Sequence, residues 1–241
     1  MTCATFKRYE LKYLLTQDQY LAILPVIREN MSPDHYCKNG ENYSIFNIYY
    51  DTVDSRLIRT SLQKPYHKEK LRLRSYDSPA RPDSKVFLEI KKKTGSLVHK
   101  RRAKMTWEES LTFLEKGIIP HSASYIDQQV VKEISYFLSQ NRVSPAAFIG
   151  YRRLAYVGKV DKSFRITFDF DIKTRRDGLR LDMPFFGQEL LPGNTCLMEI
   201  KIRDAVPIWL ASLLSENQIY RTGFSKYGTE YRRSMDQCYT R

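Results

Sequence analysis

Cysteine is scarce and unpatterned in this chain: Cys3, Cys37, Cys196 and Cys238 show no CxxC spacing. A disulfide framework and a thiolate zinc site are both unsupported, and a reducing cytosol is the simplest setting. The four histidines, His35, His67, His99 and His121, fall in no ligand-like spacing. No G-x-S-x-G elbow occurs either, so Ser-His-Asp chemistry has no support. No apolar run approaches the length of a membrane span, and the N-terminus lacks the apolar core of a signal peptide. The expectation is a cytoplasmic protein with no transmembrane segment, meeting a membrane only through a membrane-protein partner. Low-complexity linkers and fixed-period repeats are absent too, and residues 1–241 read as a single domain. With no RNP-like aromatic platform, recognition-helix motif or zinc finger, nucleic acid is not an expected partner.

What the chain has is positive charge, +13 in formal net terms over 241 residues. Such a balance favours an acidic partner. The charge is also patterned. Six segments alternate charged with other residues: Arg8-x-Glu10-x-Lys12, Lys70-x-Arg72-x-Arg74, Glu89-x-Lys91-x-Lys93, Lys100-x-Arg102-x-Lys104, Arg165-x-Thr167-x-Asp169-x-Asp171 and Glu199-x-Lys201-x-Arg203. Successive strand side chains point to opposite faces, so each set lies along one face of a strand. The opposite face of most of these strands is apolar, as with Leu71 and Leu73, Ile166, Phe168 and Phe170, or Ile200 and Ile202.

The remaining punctuation places these strands among helices. Thr16-Gln-Asp-Gln19 is a capping box ahead of an apolar stripe of Tyr20, Leu21, Leu24 and Ile27, within which Pro25 predicts a kink or two short pieces. Ser44 to Asp51 reads as a strand, followed by a short helix capped by Asp54. Strands near 69–76, 85–93 and 97–105 follow through short connections, which favours antiparallel meander pairing. Thr106-Trp-Glu-Glu109 is a second capping box, with Gly117 as the stop. A helix over about 124–140 shows Ile126, Val130, Ile134 and Phe137 on one stripe. Strands resume near 147–157, 163–172 and 195–203, and Asp204 caps a last helix carrying Val206, Trp209, Leu210, Leu213 and Leu214. The class is α+β with antiparallel pairing.

A charged strand face is ordinarily a solvated one. Two cations at alternate positions stand about 6.8 Å apart. Their repulsion is about 0.6 kcal/mol in water and about 2.4 kcal/mol at an effective dielectric of 20. Exposed faces of this kind cost little; enclosed ones need interspersed carboxylates and a bound polyanion. The carboxylates are present as Glu10, Glu89, Asp169, Asp171 and Glu199. Salt bridges alone would account for them, but a hard cation such as Mg²⁺, which takes one or two carboxylates plus substrate phosphates, is the sharper reading. Glu199 suits that role best.

In order along the chain stand Arg8-Tyr-Glu-Leu-Lys12-Tyr13, Tyr49-Tyr-Asp51-Thr, Lys70-Leu-Arg-Leu-Arg74, Phe87-Leu-Glu-Ile-Lys91, Lys100-Arg-Arg102, Tyr151-Arg-Arg153, Arg165-Ile-Thr-Phe-Asp169, Leu197-Met-Glu-Ile-Lys201 and Phe224-Ser-Lys-Tyr227. This ordered set resembles the polyphosphate polymerase domain of the vacuolar transporter chaperone (VTC) family, in the triphosphate tunnel metalloenzyme superfamily. The resemblance implies an antiparallel β-barrel forming a charged tunnel with helices packed outside, and transfer of the γ-phosphoryl of ATP to a growing inorganic polyphosphate chain. It also implies the roles. Arg72, Arg74, Lys91, Arg153 and Arg165 would hold the nucleotide's phosphates. Arg8, Lys12, Lys100, Arg102 and Lys201 would continue the basic lining. Glu199 would hold Mn²⁺ or Mg²⁺, with Glu89 or Asp169 behind it, and Tyr151, Ser225 and Lys226 would contact phosphate oxygens. Tyr151 has an alternative reading as a core tyrosine, and Asp169 and Asp171 as salt-bridge partners of the arginines. Hydrolytic relatives begin with Glu-x-Glu-x-Lys; Arg8 at the first of those positions resembles the polymerase branch. Gly223 stands where the family often has a lysine, with Arg221 as the nearby substitute. Two alternatives remain: a triphosphatase of the same superfamily, and a non-catalytic polyphosphate-binding module.

Overall fold

The computed structural model describes residues 9–37, 40–95, 97–120 and 124–239. Its strands are β1 (Tyr9–Thr16), β2 (Met31–Pro33), β3 (Tyr43–Thr52), β4 (His67–Ser75), β5 (Lys85–Thr94), β6 (Leu97–Thr106), β7 (Val143–Gly158), β8 (Arg165–Arg175), β9 (Gln188–Glu189) and β10 (Thr195–Ile202). The helices are α1 (Gln17–Asn30), α2 (Arg56–Leu62), α3 (Trp107–Lys116), α4 (Tyr125–Gln140), α5 (Ile208–Glu216) and α6 (Lys226–Tyr239). The sheet is antiparallel, in the order β1-β10-β8-β7-β3-β4-β5-β6, with β2 on β7 and β9 on β8. The expected α+β antiparallel architecture is therefore the observed one.

The chain forms two compact units. The first comprises Met1–Ser44, Tyr151–Ile172 and Leu191–Ser225; the second comprises Ile45–Gly150, Lys173–Leu190 and Lys226–Arg241. In the first unit, β1, β10 and β8 turn Leu15, Ile166, Phe168, Met198 and Ile200 onto Tyr20, Ile23, Leu24 and Ile27 of α1 and Leu210, Leu213 and Leu214 of α5. In the second, Ile48, Leu71, Leu73, Val86, Leu88, Ile90 and Ala103 pack with Trp107 and Phe113 of α3 and Val130, Val131, Ile134 and Phe137 of α4. Each unit thus buries the apolar side of its strands under two helices, which leaves the charged side as the opposite face.

Both capping boxes form. Thr16 accepts from Gln19 N–H while the Gln19 side chain accepts from Thr16 N–H, and Thr106 and Glu109 do the same for α3. Gly117 ends α3 in the left-handed region at φ 71°, which only glycine adopts without strain. Other expectations are corrected. Pro25 lies inside one continuous helix α1. The buried stripe of α1 runs through Ile23, whereas Leu21 is 53% exposed, and Ile126 of α4 is 65% exposed. Asp54 does not cap α2. Asp51 accepts from Leu57 N–H at 2.9 Å and Ile58 N–H at 3.0 Å instead, and Thr52 Oγ1 accepts from Arg56 N–H. Asp204 does not cap α5, which opens at Pro207 with no side-chain cap. Helix α6 is an element that the sequence reading did not anticipate. At Asp171 the backbone takes φ 48°, and the alternation breaks. Asp169 pairs with Arg153 while Asp171 pairs with Arg152, and these successive arginines of β7 point to opposite faces.

Candidate functional site: two charged sheet faces

The predicted residues fall into two sets, one on the charged face of each unit. In the second unit, register builds the face in rows. Asn47 faces Arg74, Tyr49 faces Arg72, Arg72 faces Glu89, Glu89 faces Arg102, Lys70 faces Lys91, and Lys91 faces Lys100. Glu89 is 2% exposed at the centre. Its Oε2 accepts from Arg72 Nε at 2.5 Å and lies 3.9 Å from Arg74 Nε, and its Oε1 lies 2.8 Å from Lys100 Nζ. Burial opposes ionisation of Glu89, but Arg72, Arg74 and Lys100 together hold its pKa well below the usual carboxylate range. Arg74 donates from Nε to Asn47 Oδ1 at 3.0 Å, and Asn47 in turn donates to the Ile149 carbonyl at 2.9 Å.

Lys100 shows a divided environment. Its stem reaches solvent, with a side-chain exposure of 42%, yet its ammonium sits against the buried Glu89. Burial, with Arg72 and Arg74 nearby, pushes its pKa down to about 8 against the pull of Glu89. Tyr49 is buried, and burial alone would raise its phenol pKa. Arg72, which donates to its hydroxyl at 3.3 Å, together with Lys70 and Lys226, brings it below the ordinary value instead. Lys226, buried at the start of α6, thereby joins this cluster electrostatically, and its neighbour Tyr227 stacks on Tyr49 at 4.7 Å and donates to Asp51 at 2.9 Å. Lys91 and Arg102 are exposed, Arg102 lying over the Phe87 ring at 4.9 Å.

The first unit's face is built from β1, β10, β8 and β7. Glu10 faces Lys201 and Lys201 faces Arg165; Lys12 faces Glu199 and Glu199 faces Thr167. The fork of Arg153 is taken bidentately by Asp169, at 2.6 and 2.7 Å, and its Nη2 also reaches Glu199 Oε2 at 3.4 Å. Burial works against the charge of Arg153, but Asp169 and then Tyr151 raise its pKa well above the usual value. Lys12 Nζ lies 3.2 Å from Glu10 and 3.5 Å from Glu199. Arg165 pairs with Asp34, a carboxylate only 5% exposed. Lys201 has its pKa lowered chiefly by burial and further by Arg153 and Arg165, against Glu199 and Glu10. Tyr151 is buried with the Arg153 guanidinium 5.3 Å from its ring centre, and Ser225 is half-buried just before α6. Arg221 pairs its backbone with Tyr13, and Thr222 N–H donates to the Lys12 carbonyl at 2.7 Å. Arg8 lies outside the described residues.

Among the described residues, no group of three or more His, Cys, Asp or Glu side chains gathers to hold a metal ion. The first unit's face nevertheless fits a hard divalent cation that draws most of its ligands from substrate and water. Glu199 is 7% exposed, with Arg153 Nη2 at 3.4 Å and Lys12 Nζ at 3.5 Å. Thr167 Oγ1, directly across the ladder from it, is buried with no hydrogen-bond partner among the described residues. An orphaned buried oxygen is costly unless something occupies the space beside it. Glu89 fits poorly by comparison, since its oxygens are already in tight contact with cations.

Sequence reasoning missed Asp34 and Asn47 as members of these faces, and placed Thr167 on its face without giving it a role. Asn47 and Thr167 sit at alternating positions of anticipated strands and were legible by parity. Asp34 follows a short strand that no pattern announced. Cys37 and Cys196 are inert here: burial raises the pKa of Cys37 and pushes that of Cys196 up to about 12.

An antiparallel sheet with one charged face per unit and helices on the apolar side defines a class of fold. The fold, without regard to charge, is shared with the structure of a proposed adenylate cyclase from Bacillus halodurans (TM-score 0.54, 13% identity, covering 91% of this chain and 95% of that one). A proposed adenylate cyclase from Vibrio parahaemolyticus aligns at TM-score 0.46 and 15% identity, over 94% of this chain and 98% of that one. The capping enzyme triphosphatase of Mimivirus aligns at TM-score 0.35 and 10% identity, over 88% and 86%. The VTC domain model matches residues 7–235, and the chain belongs to that family. No curated protein matches the chain. Among the described residues, no helix is long and apolar enough to cross a membrane.

Proposed function

We propose that this chain is an ATP-dependent polyphosphate polymerase. The observation that carries the reading is the second unit's face, where Arg72, Arg74 and Lys100 surround one buried carboxylate and further cations extend the same rows. Guanidinium forks fixed by Glu89 and Asn47 are preorganised for phosphate oxygens, and they stay charged at any working pH. Phosphoryl transfer asks little covalent chemistry of a protein and much positioning and charge neutralisation. On this reading Arg72, Arg74, Lys91 and Lys100 hold phosphates on the second unit's face, with Tyr49 and Lys226 beside them. Arg153, Arg165 and Lys201 neutralise charge on the first unit's face.

Family membership and the buried Glu199, across the ladder from the unpartnered Thr167 hydroxyl, support a divalent metal. Glu199, with Glu10 across Lys12 and a water on Thr167, would hold Mn²⁺ or Mg²⁺, which when bound neutralises phosphate charge. The terminal oxygen of the acceptor chain attacks the γ-phosphorus, the bond to the β-γ bridging oxygen breaks, and ADP leaves. Asp169 keeps the Arg153 fork in place throughout. Arg8, at the position where hydrolytic relatives have glutamate, favours transfer to phosphate over transfer to water.

The test is incubation of purified protein with ATP and Mn²⁺, with ADP and polymer both quantified. Long polyphosphate matched by ADP is expected, and Glu199→Ala and Arg72→Ala should each cut the rate by about 10²–10³. Free phosphate without polymer would assign the chain to hydrolysis instead.

A further inference from the structure

Asp51 has the strand parity of Asn47 and Tyr49 on β3 and is fully buried. A carboxylate offers about four lone-pair sites. Here Oδ1 accepts from Thr52 N–H at 2.8 Å and Leu57 N–H at 2.9 Å. Oδ2 accepts from Ile58 N–H at 3.0 Å and from the Tyr227 hydroxyl at 2.9 Å. Neutral donors fill those sites, which leaves none for a metal or an arginine. Three of the donors are backbone groups at the end of β3 and in the first turn of α2, so the carboxylate is rigidly placed. The fourth comes from α6, 176 residues along the chain.

Tyr227 carries this anchor to the arginine cluster. Its ring is buried and stacks on Tyr49, with centroids 4.7 Å apart and planes inclined by 21°. The Tyr49 hydroxyl accepts from Arg72 Nη1 at 3.3 Å, while Glu89 accepts from Arg72 Nε. The guanidinium is thus braced at two points, one by a counter-charge and one by a phenol. The two stacked phenols are tuned in opposite senses. Burial and then Asp51 raise the pKa of Tyr227, which keeps its hydroxyl a donor. Burial would raise that of Tyr49 too, but Arg72, Lys70 and Lys226 bring it below the ordinary value, which suits an acceptor. We propose that Asp51 and Tyr227 are positioning residues for Arg72, holding Tyr49 where its oxygen fixes the guanidinium toward phosphate. Binding groups keep a productive geometry only when such a supporting shell locks them. The inference rests on the reading of Arg72 as a phosphate holder.

The experiment is a double-mutant cycle on equilibrium binding of tripolyphosphate, without nucleotide or metal, so that it does not depend on turnover. Tyr227→Phe removes the hydroxyl and keeps the stacked ring. Affinity should fall about fivefold, and Tyr49→Phe should cost a similar factor. In the Tyr49→Phe background, Tyr227→Phe should change affinity by less than about 1.5-fold, because the path to Arg72 is already cut. Glu230→Gln is the structural control: it loosens α6 at Arg176, whose fork Glu230 takes at 2.7 and 3.0 Å, without touching the tyrosine stack. It should lower the Tm yet leave tripolyphosphate affinity within about twofold of the wild type. Unchanged affinity in Tyr227→Phe, independent losses that multiply in the double variant, or an equal loss in Glu230→Gln would overturn the positioning role. Arg72→Ala without effect on tripolyphosphate binding would instead overturn the phosphate reading of the face, and this inference with it. Absence of polymer synthesis from ATP would overturn the proposed activity and leave the cycle to decide the positioning role alone.

Discussion

The two charged faces use the same parts in opposite proportions. On the second unit's face, Lys70, Arg72, Arg74, Lys91, Lys100 and Arg102 surround a single carboxylate, Glu89, held at 2.5 and 2.8 Å. On the first unit's face, Lys12, Arg153, Arg165 and Lys201 are matched by Glu10, Asp169, Glu199 and Asp34. The lesson is that a carboxylate among arginines does two different jobs. Where it is outnumbered and tightly held, it organises cations for an anionic ligand. Where cations and carboxylates balance, it keeps the capacity to take a cation of its own.

Glu89→Gln against Glu199→Gln is the strongest way to break that contrast. The first leaves buried arginines without their counter-charge and should cost about 3–5 kcal/mol of stability. The second, whose ion pairs with Arg153 and Lys12 are at 3.4 and 3.5 Å, should cost less, while abolishing metal-dependent activity. Equal losses in thermal or denaturant unfolding would erase the distinction. The pH dependence of stability sharpens the same point. The folded pKa of Glu89 is depressed, so its stabilising contribution is complete above the ordinary carboxylate range and lost as pH falls through and below it. Unfolding curves of Glu89→Gln should be flatter over that acid window than those of the wild type.

Smaller effects should follow at Lys100. Its pKa of about 8 means that the ammonium is lost as pH rises through that value. Anion binding by the second unit's face should therefore weaken several-fold between pH 7 and 9, measured with tripolyphosphate, and Lys100→Arg should flatten the profile. Stability should move the other way: the unfolded chain binds this proton more tightly, so the cost of holding it in the folded state disappears between pH 8 and the ordinary lysine range. The smallest change is expected for Thr167→Val, which removes the orphaned hydroxyl. Stability should be unchanged or higher by about 1 kcal/mol. Mn²⁺ affinity, read by titration calorimetry in the presence of tripolyphosphate, should fall if the hydroxyl serves a bound cation, and constancy there would remove Thr167 from the site.

Much of this was legible in advance because strand parity and capping chemistry are local. The alternation Lys70, Arg72, Arg74 places three cations on one face whatever the strand packs against, and Thr16-x-x-Gln19 closes its box with no help from outside the first turn. Features that depend on distant partners were not legible. Asp51 caps α2 from six and seven residues away and takes the Tyr227 hydroxyl, which no spacing rule announces. Pro25 is carried by α1 because the helix is fastened by Ile23, Leu24 and Ile27 to the sheet beneath. The left-handed turn at Asp171 separated two carboxylates that alternation had joined.

By itself, the amino-acid sequence determined which residues share a face, since a period of two is a property of the extended backbone. It also carried the ordered motifs that assign the family. Only tertiary structure decided which charges are buried and which carboxylate each arginine holds. Burial and pairing depend on the register between strands and on the helices covering the opposite face, and those bring together residues far apart in the chain. Thus Glu89 and Glu199, both glutamates flanked by apolar neighbours and followed two residues later by lysine, became an internal counter-ion in one unit and the candidate metal holder in the other.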